Sequence, residues 1–595
     1  MLTTVRSVVA STRAIQTALL VVSGLQLTGY MWPPSVQVTN RDTYDFVIVG
    51  AGSAGCVVAN RLSEDPHLKV LLIEAGGDPP LQSVLPGLLT TLQNSVVDYN
   101  FTSENDGYSA QNLKNGVVGL STGKMLGGTS SLNHMLHVRG NPHDYARWVT
   151  ASKDEAWSYW NLLPYFIRSE KFEDQGILET SSARYVGTSG YLKISRQTSE
   201  DNAPIFAAFH EMGLDVVANS NDPFFTVGVS EPMLNIADGV RQSGAEAYLR
   251  PIAHRPNFYL LKNTQVTKIL FDEKKNAIGV TAVNNGKAIT IHANHEVILT
   301  AGALITPQLL MLSGVGPKEH LSSFNIPVVS DLPVGQNLQD HIPAMVVHSL
   351  KPGKPDKTPP NPTRFPFPIT TAYTAINMHQ TFPDYQVINA IVSPEATSLI
   401  EFCSLAFFYK DEICQNFFDG GRGKYTLLTL LNIMYAESRG EVLLRSTNIT
   451  DPPIVKLGTY SNQNDLHNMA LYLKDFSRIV NTTSFKHMGA ALIDLDLSKC
   501  KHLPRDSYEY WKCYALSMSS TMWHYSGTSS MGLVLDSHLL VKGVQRLRVA
   551  DASAMPNPIS GNINAAVVVL AEKAADLVKE DLQPRLFYPY QNYLW

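Results

Sequence analysis

Short apolar runs broken by glycine mark the chain, and the sharpest unit lies near its start. Tyr44-Asp-Phe-Val-Ile-Val is an apolar, β-branched run that ends in Gly50-Ala-Gly52-Ser53-Ala54-Gly55. Cys56 to Leu62 is helix-competent, and Lys69-Val-Leu-Leu-Ile is a second apolar run ending in Glu74. This pattern predicts strand, tight turn, helix and strand, with an acid at the end. Towards the C-terminus, Val567 to Val578 reads as a helix. Lys351 to Pro368 carries too many prolines for a regular helix or a central strand and reads as a stiff surface loop. Glu401 to Arg422 is dense in aromatics. It reads either as core packing of a second domain or as an apolar wall and lid over a substrate cavity.

The glycine unit implies a ligand. Glycines at these positions let the backbone approach a pyrophosphate at a helix N-terminus, where unpaired N–H groups and the helix dipole favour negative charge. Glu74 lies about 20 residues beyond the glycines, where a carboxylate reaches the ribose hydroxyls of an adenine dinucleotide. A dinucleotide site is expected.

Composition narrows the class. With 595 residues, 44% apolar and 17% charged, the chain has material for a large core. A net charge of −5 gives no electrostatic reason to expect nucleic acid or an anionic membrane surface. Arg6 and Arg13 precede an apolar run from Ala18 to Leu25 that includes the small residues Ser23 and Gly24. This start resembles a secretory signal over residues 1–29, with an uncleaved N-terminal helix as the alternative, and the run is too short for a stable membrane span. A secreted, extracellular protein is the favoured location. Cys403/Cys414 and Cys500/Cys513 are sequence-local pairs able to close short loops in an oxidising compartment, while Cys56 sits on the dinucleotide helix. Sequons stand at Asn100, Asn448 and Asn481. No His/Cys/Asp/Glu cluster has metal spacing, so no metal is expected.

Three further segments carry chemistry. One is Gly123-Lys-Met-Leu-Gly127-Gly128-Thr-Ser-Ser-Leu132-Asn133-His134-Met135-Leu136, in which paired glycines allow close backbone approach to a flat ligand. The second runs from Ala301 through Pro307 to Gly316-Pro317 and on to Asn337-Leu-Gln-Asp340-His341. The third is Trp523-His524-Tyr-Ser-Gly527-Thr528, then Asp551-Ala552-Ser553, then Gly561-Asn562-Ile-Asn564. With these in order, the chain from about Tyr44 to Lys579 resembles the glucose–methanol–choline (GMC) oxidoreductase family.

The resemblance implies FAD and a fold. The class would be α/β (α+β overall), with a Rossmann-like FAD-binding domain interleaved with an antiparallel-sheet substrate domain. Residues 42–345 would form the FAD core with part of the substrate domain and 346–430 its loop and lid. Residues 431–580 would complete both, and 581–595 would be a tail. Gly50, Gly52, Ser53, Ala54 and Gly55 would hold the pyrophosphate and Glu74 the ribose. Gly127, Gly128, Asn133 and Leu136 would run along the flavin, and the backbone of Val266 would contact adenine. Asp551 and Ala552 would meet the ribityl and phosphate side, and Asn564 the pyrimidine edge. Some relatives carry, at the position of Leu132, a histidine bonded to the flavin; leucine implies noncovalent FAD.

By the same resemblance His524 and Asn562 form the catalytic pair. An alcohol C–H becomes hydridic only as its O–H proton leaves, so a base is needed beside the oxygen, and imidazole is neutral yet basic near physiological pH. Asn562 can donate to the developing alkoxide without competing for the proton. His134 stands where small residues are usual and is expected to shape the pocket; His341 is expected to be structural at the domain junction. The expected reaction is oxidation of a secondary alcohol by hydride transfer to flavin N5, with an ecdysteroid 3-hydroxyl favoured and O₂ as acceptor. A sugar such as glucose with a quinone or other acceptor is the alternative, and flavin-dependent lyase chemistry a lesser one.

Overall fold

A computed structural model describes residues 5–12, 14–15, 32–354 and 361–582. Most of the expected leader, residues 355–360 of the proline-rich stretch and residues 583–595 of the tail lie outside the described residues. The strands that place the site are β1 (Asp42–Val49), β2 (Val70–Ile73), β3 (Phe258–Leu261), β4 (Thr264–Phe271), β5 (Ala277–Asn284), β6 (Lys287–Leu299), β7 (Pro343–Pro352), β8 (Ile369–Thr374), β9 (Tyr385–Val392), β10 (Lys424–Ile433) and β11 (Leu547–Val549). Helix α1 (Ser53–Leu62) comes after β1 and α2 (Asn564–Leu582) after β11.

The first sheet has the order β3-β2-β1-β6-β5-β4, with β11 also paired to β6. Strands β3, β2, β1, β6 and β11 run parallel to their neighbours, while β4, β5 and the first half of β6 form an antiparallel meander. Parallel strands covered by helices on both faces should be apolar throughout, and Val70 to Ile73 are all buried. Helix α2 lies against α1, and the Arg61 guanidinium meets the Glu572 carboxylate at 2.8 Å between them. Register fixes the site. Val49 pairs with Leu299, and Leu299 with Val549, so three parallel strands from distant parts of the chain end side by side. Immediately beyond these ends stand Gly50, Thr300 and Ala550-Asp551, at the carboxyl edge where ligands of such sheets bind.

The second sheet is the expected antiparallel one. Its order is Ala491–Leu492, β7, β10, β9, β8, Gly228–Ser230. Residues 401–406 form a π-helical turn and Asp411–Gly420 a helix, joined by a disulfide between Cys403 and Cys414. Cys500 and Cys513 form a second disulfide, and Cys56 is free and buried. Among the described residues no helix is long and apolar enough to cross a membrane.

Candidate active site

One cavity runs along the carboxyl edge of the first sheet, and the turn after β1 forms one wall. Gly50 has a φ of +104°, and a Cβ there would stand 2.7 Å from the Thr300 carbonyl oxygen. Helix α1 begins next to it with no side-chain cap and no acid in its first turn, so its N-terminal amides are left for a ligand. Glu74 closes the far side of the turn. Its carboxylate accepts from Ala51 N at 2.9 Å and Gly76 N at 2.8 Å, and burial raises its pKa to about 7 against these two donors. Asp551 braces the adjoining strand end, accepting from Gly302 N at 2.8 Å and the Thr306 hydroxyl at 2.7 Å.

The other end of the cavity holds the reactive groups. Asn562 and Asn564 stand at the start of α2, and Asn564 Oδ1 accepts from the Ser53 hydroxyl at 2.8 Å, so the two helix N-termini meet there. His524 comes directly after Trp523, whose φ of +58° is the left-handed region a tryptophan rarely adopts. That turn is held by Thr521 Oγ1, which accepts from Trp523 N at 2.8 Å, and by Asp340, which accepts from His524 N at 2.9 Å and from the Thr521 hydroxyl. Burial raises the Asp340 carboxyl to about 7. Asn562 Nδ2 stands 3.2 Å from His524 Nε2, and His524 Nδ1 stands 2.8 Å from His341 Nδ1.

These distances assign the tautomers. An amide nitrogen only donates, so His524 Nε2 is the acceptor and the neutral ring carries its proton on Nδ1. That proton goes to His341 Nδ1, which leaves the His341 proton on Nε2. The Met434 and Ile559 carbonyls approach the His341 ring closely enough to oppose the effect of burial, yet complete no hydrogen bond to Nε2. His341 is pushed down to about 4 by burial. His524 falls well below 6.5, chiefly through burial and then through repulsion from His341 and His134.

The aromatic segment backs the wall at this end. The ring of His134 lies 5.7 Å from Phe402 and 5.7 Å from Trp523, and Phe407 lies 4.9 Å from Trp523. Core and lid are both served, since Phe417 is fully buried while Phe402 turns to His134. Leu132 packs with Leu92 and Met125 and also lines the cavity.

The cavity gathers His524, Asn562, Gly50, Gly52, Ser53, Ala54, Glu74, Gly128, Asn133, Leu136, Val266, Asp551, Ala552 and Asn564. Gly55 and Gly127 stand behind its wall instead. A Cβ on Gly55 would fall 1.9 Å from the Gly50 carbonyl oxygen, and one on Gly127 would fall 2.2 Å from Ser131 Oγ, so both glycines serve backbone packing. Tyr99, Gln93 and Thr264 also line the cavity, and no local sequence signal marks them. His341, expected to be structural, hydrogen-bonds the catalytic candidate His524 directly. The residues present fit FAD. The uncapped N-terminus of α1 could take a pyrophosphate, the Glu74 carboxylate at the end of β2 could take a ribose, and Gly302, at φ +85°, leaves more than 4 Å clear where a Cβ would point.

Residues 44–343 and 436–571 match the sequence patterns of the GMC oxidoreductase family. The chain is 35% identical to ecdysone oxidase of Spodoptera littoralis over 570 residues, covering 93% of this chain and 94% of that one. It is 32% identical to glucose dehydrogenase [FAD, quinone] of Drosophila melanogaster, over 90% of this chain and 87% of that one. The structure of pyridoxine 4-oxidase from Mesorbium loti superposes with a TM-score of 0.78 at 27% identity, covering 90% of this chain and 99% of that one.

Proposed function

This chain belongs to the GMC oxidoreductase family and is an FAD-dependent alcohol oxidoreductase, and we propose that its substrate is an ecdysteroid oxidised at the 3-hydroxyl with O₂ as electron acceptor. One observation carries the reading: the hydrogen-bonded His524–Asn562 pair sits under an aromatic cover, with the cavity's charged side chains, Glu74 and Asp551, holding backbone around the Gly50 and Gly302 turns. An uncharged, aromatic reacting end suits a bulky apolar alcohol better than a sugar. Likeness to ecdysone oxidase supports the same choice.

Each residue has a distinct task. FAD, when bound, supplies the two-electron acceptor for the carbinol hydrogen. His524 Nε2 takes the hydroxyl proton. Asn562 Nδ2 donates to the oxygen as negative charge develops on it, a contribution of roughly 3 kcal/mol in comparable sites. His341 holds the His524 ring in the tautomer that leaves Nε2 free, and its Nδ1 still accepts once His524 is doubly protonated. Trp523, backed by Phe407, and His134, backed by Phe402, keep water from the oxygen. Leu132 offers no nucleophile to the flavin, so FAD is held noncovalently.

Secretion is part of the proposal. Asn100, Asn448 and Asn481 are all exposed, and both disulfides suit an oxidising compartment. The function is tested by anaerobic mixing with ecdysone and, separately, with glucose while the flavin absorbance is monitored. Bleaching by ecdysone and not by glucose supports the proposal; bleaching by glucose alone transfers the assignment to sugar oxidation.

A further inference from the structure

Among the described residues four arginines are buried: Arg61, Arg139, Arg241 and Arg548. Three have carboxylate partners. Arg61 meets Glu572 at 2.8 Å, Arg139 meets Glu170, and Arg548 meets Glu296 at 2.9 Å and Asp581 at 2.7 Å. Arg241, 2% exposed, makes no ion pair among the described residues. Its Nε donates to the Ser83 carbonyl at 2.8 Å, and its Nη1 to the Asn133 carbonyl at 2.5 Å, to Asn133 Oδ1 at 3.0 Å and to the Ser130 carbonyl at 3.4 Å. Nη2 is buried without a partner.

An isolated buried cation is expensive, because its desolvation is repaid only by an anion close enough in the low-dielectric interior. Burial lowers the Arg241 guanidinium to about 9 with no anion opposing it, which still leaves it charged at neutral pH. The charge lies directly behind the cavity wall. Ser130, Asn133 and His134 line the cavity wall, Arg241 holds the first two by their carbonyls, and the basicity of His134 is lowered chiefly by burial and then by the Arg241 charge. The arrangement calls for a negative charge on the ligand side of that wall. An oxidised isoalloxazine is neutral, and uptake of a hydride, two electrons with one proton, leaves it with one negative charge.

We propose that Arg241 is the buried counter-charge for reduced flavin, raising the reduction potential of the bound cofactor and so favouring its reduction by the alcohol. This rests on the FAD-dependent reading of the proposed function, with the flavin lying along the stretch from Gly127 to Leu136 as likeness to the family implies. Arg241 acts through the loop and through space, which makes it a positioning and electrostatic residue.

The test compares Arg241→Met, which removes the charge and the hydrogen bonds, with Arg241→Lys, which keeps the charge alone. Each is titrated with sulfite, a nucleophile that adds reversibly to oxidised flavin and leaves the ring negative, and poised against a reference dye for its potential. Arg241→Met should weaken sulfite binding by at least ~10-fold, the effect of one charge within ~10 Å at an effective dielectric of ~20. The same factor corresponds to a potential lower by ~30 mV for a two-electron couple. Arg241→Lys should stay within about threefold of wild type on the same electrostatic grounds. Should the Met variant fail to hold flavin, Arg241→Gln is read against the same limits. Unchanged sulfite binding on loss of the charge overturns the proposal, as does an equal loss in the Lys variant, which would make Arg241 a bracket for three carbonyls. Sulfite titration needs no alcohol, so a wrong substrate assignment leaves this test intact, and failure here leaves the substrate assignment standing.

Discussion

Nδ1 of His524 lies 2.8 Å from Nδ1 of His341, a residue 183 positions away in the chain. With Asn562 donating at Nε2, that contact decides which His524 nitrogen holds a proton and which is free to take one. His341 is therefore expected to fix ring orientation and tautomer without touching substrate. His341→Ala should leave FAD content and spectrum unchanged and slow flavin reduction by ~10²-fold, the usual effect of a misplaced catalytic group. Reduction at the wild-type rate would return His341 to a purely structural role.

The pH profile is set by burial. A base must be neutral to accept the alcohol proton, and His524 titrates well below 6.5 because burial and the neighbouring His341 and His134 disfavour its cation. The rate of flavin reduction should therefore be flat from neutrality down to about pH 6.5 and fall only in more acidic buffer. Stopped-flow reduction across about pH 5 to 8 checks this. A midpoint at or above an ordinary histidine value would contradict it.

Glu74 is expected to govern cofactor retention. Its carboxylate holds the amides of Ala51 and Gly76, and with them the turn that faces the pyrophosphate. Glu74→Ala leaves both amides without that acceptor and should weaken FAD binding by ~10- to 100-fold, the range for hydrogen bonds to a charged group. Equilibrium dialysis of apoprotein with FAD measures it. In wild type, acid precipitation should release all the flavin into the supernatant, since Leu132 cannot bond to it.

Much of this site was readable in the chain because its parts are local. The Gly50–Gly55 turn and Glu74 come from a strand and helix pattern spanning about thirty residues, and the structure places them as that pattern implies. Asp551 and Asn564 became readable only through likeness to a family, since nothing near them signals a cofactor. Gly55 and Gly127, read as cofactor contacts, lie outside the cavity lining, where an added Cβ would strike Gly50 and Ser131, a packing need that spacing does not announce. His341 and Arg241 show the limit. The role of the first depends on a contact with a distant histidine, and that of the second on the absence of a carboxylate partner among the described residues. Neither relationship has a sequence period.

The disulfide between Cys403 and Cys414 braces the aromatic cover, with Phe402 next to Cys403 in the same helical turn. Replacing both cysteines with serine frees a loop of sequence separation 11 and should cost up to ~3 kcal/mol, seen as a lower Tm. The larger functional effect should be on KM for the bulky substrate, with FAD content unchanged. An unaltered KM would remove Phe402 from the substrate cover.

Whether His524 is the base is decided by transient reduction of the flavin in His524→Ala by ecdysone. If it is, the variant retains FAD and its reduction is slowed by at least ~100-fold, the usual contribution of a positioned general base. Asn562→Ala, measured alongside, should lose roughly 10²-fold through one alkoxide hydrogen bond and keep the wild-type pH dependence. Deuterium at the substrate carbinol carbon should slow the wild-type step. Reduction of the His524→Ala flavin at the wild-type rate would exclude His524 as the base and leave it a packed histidine.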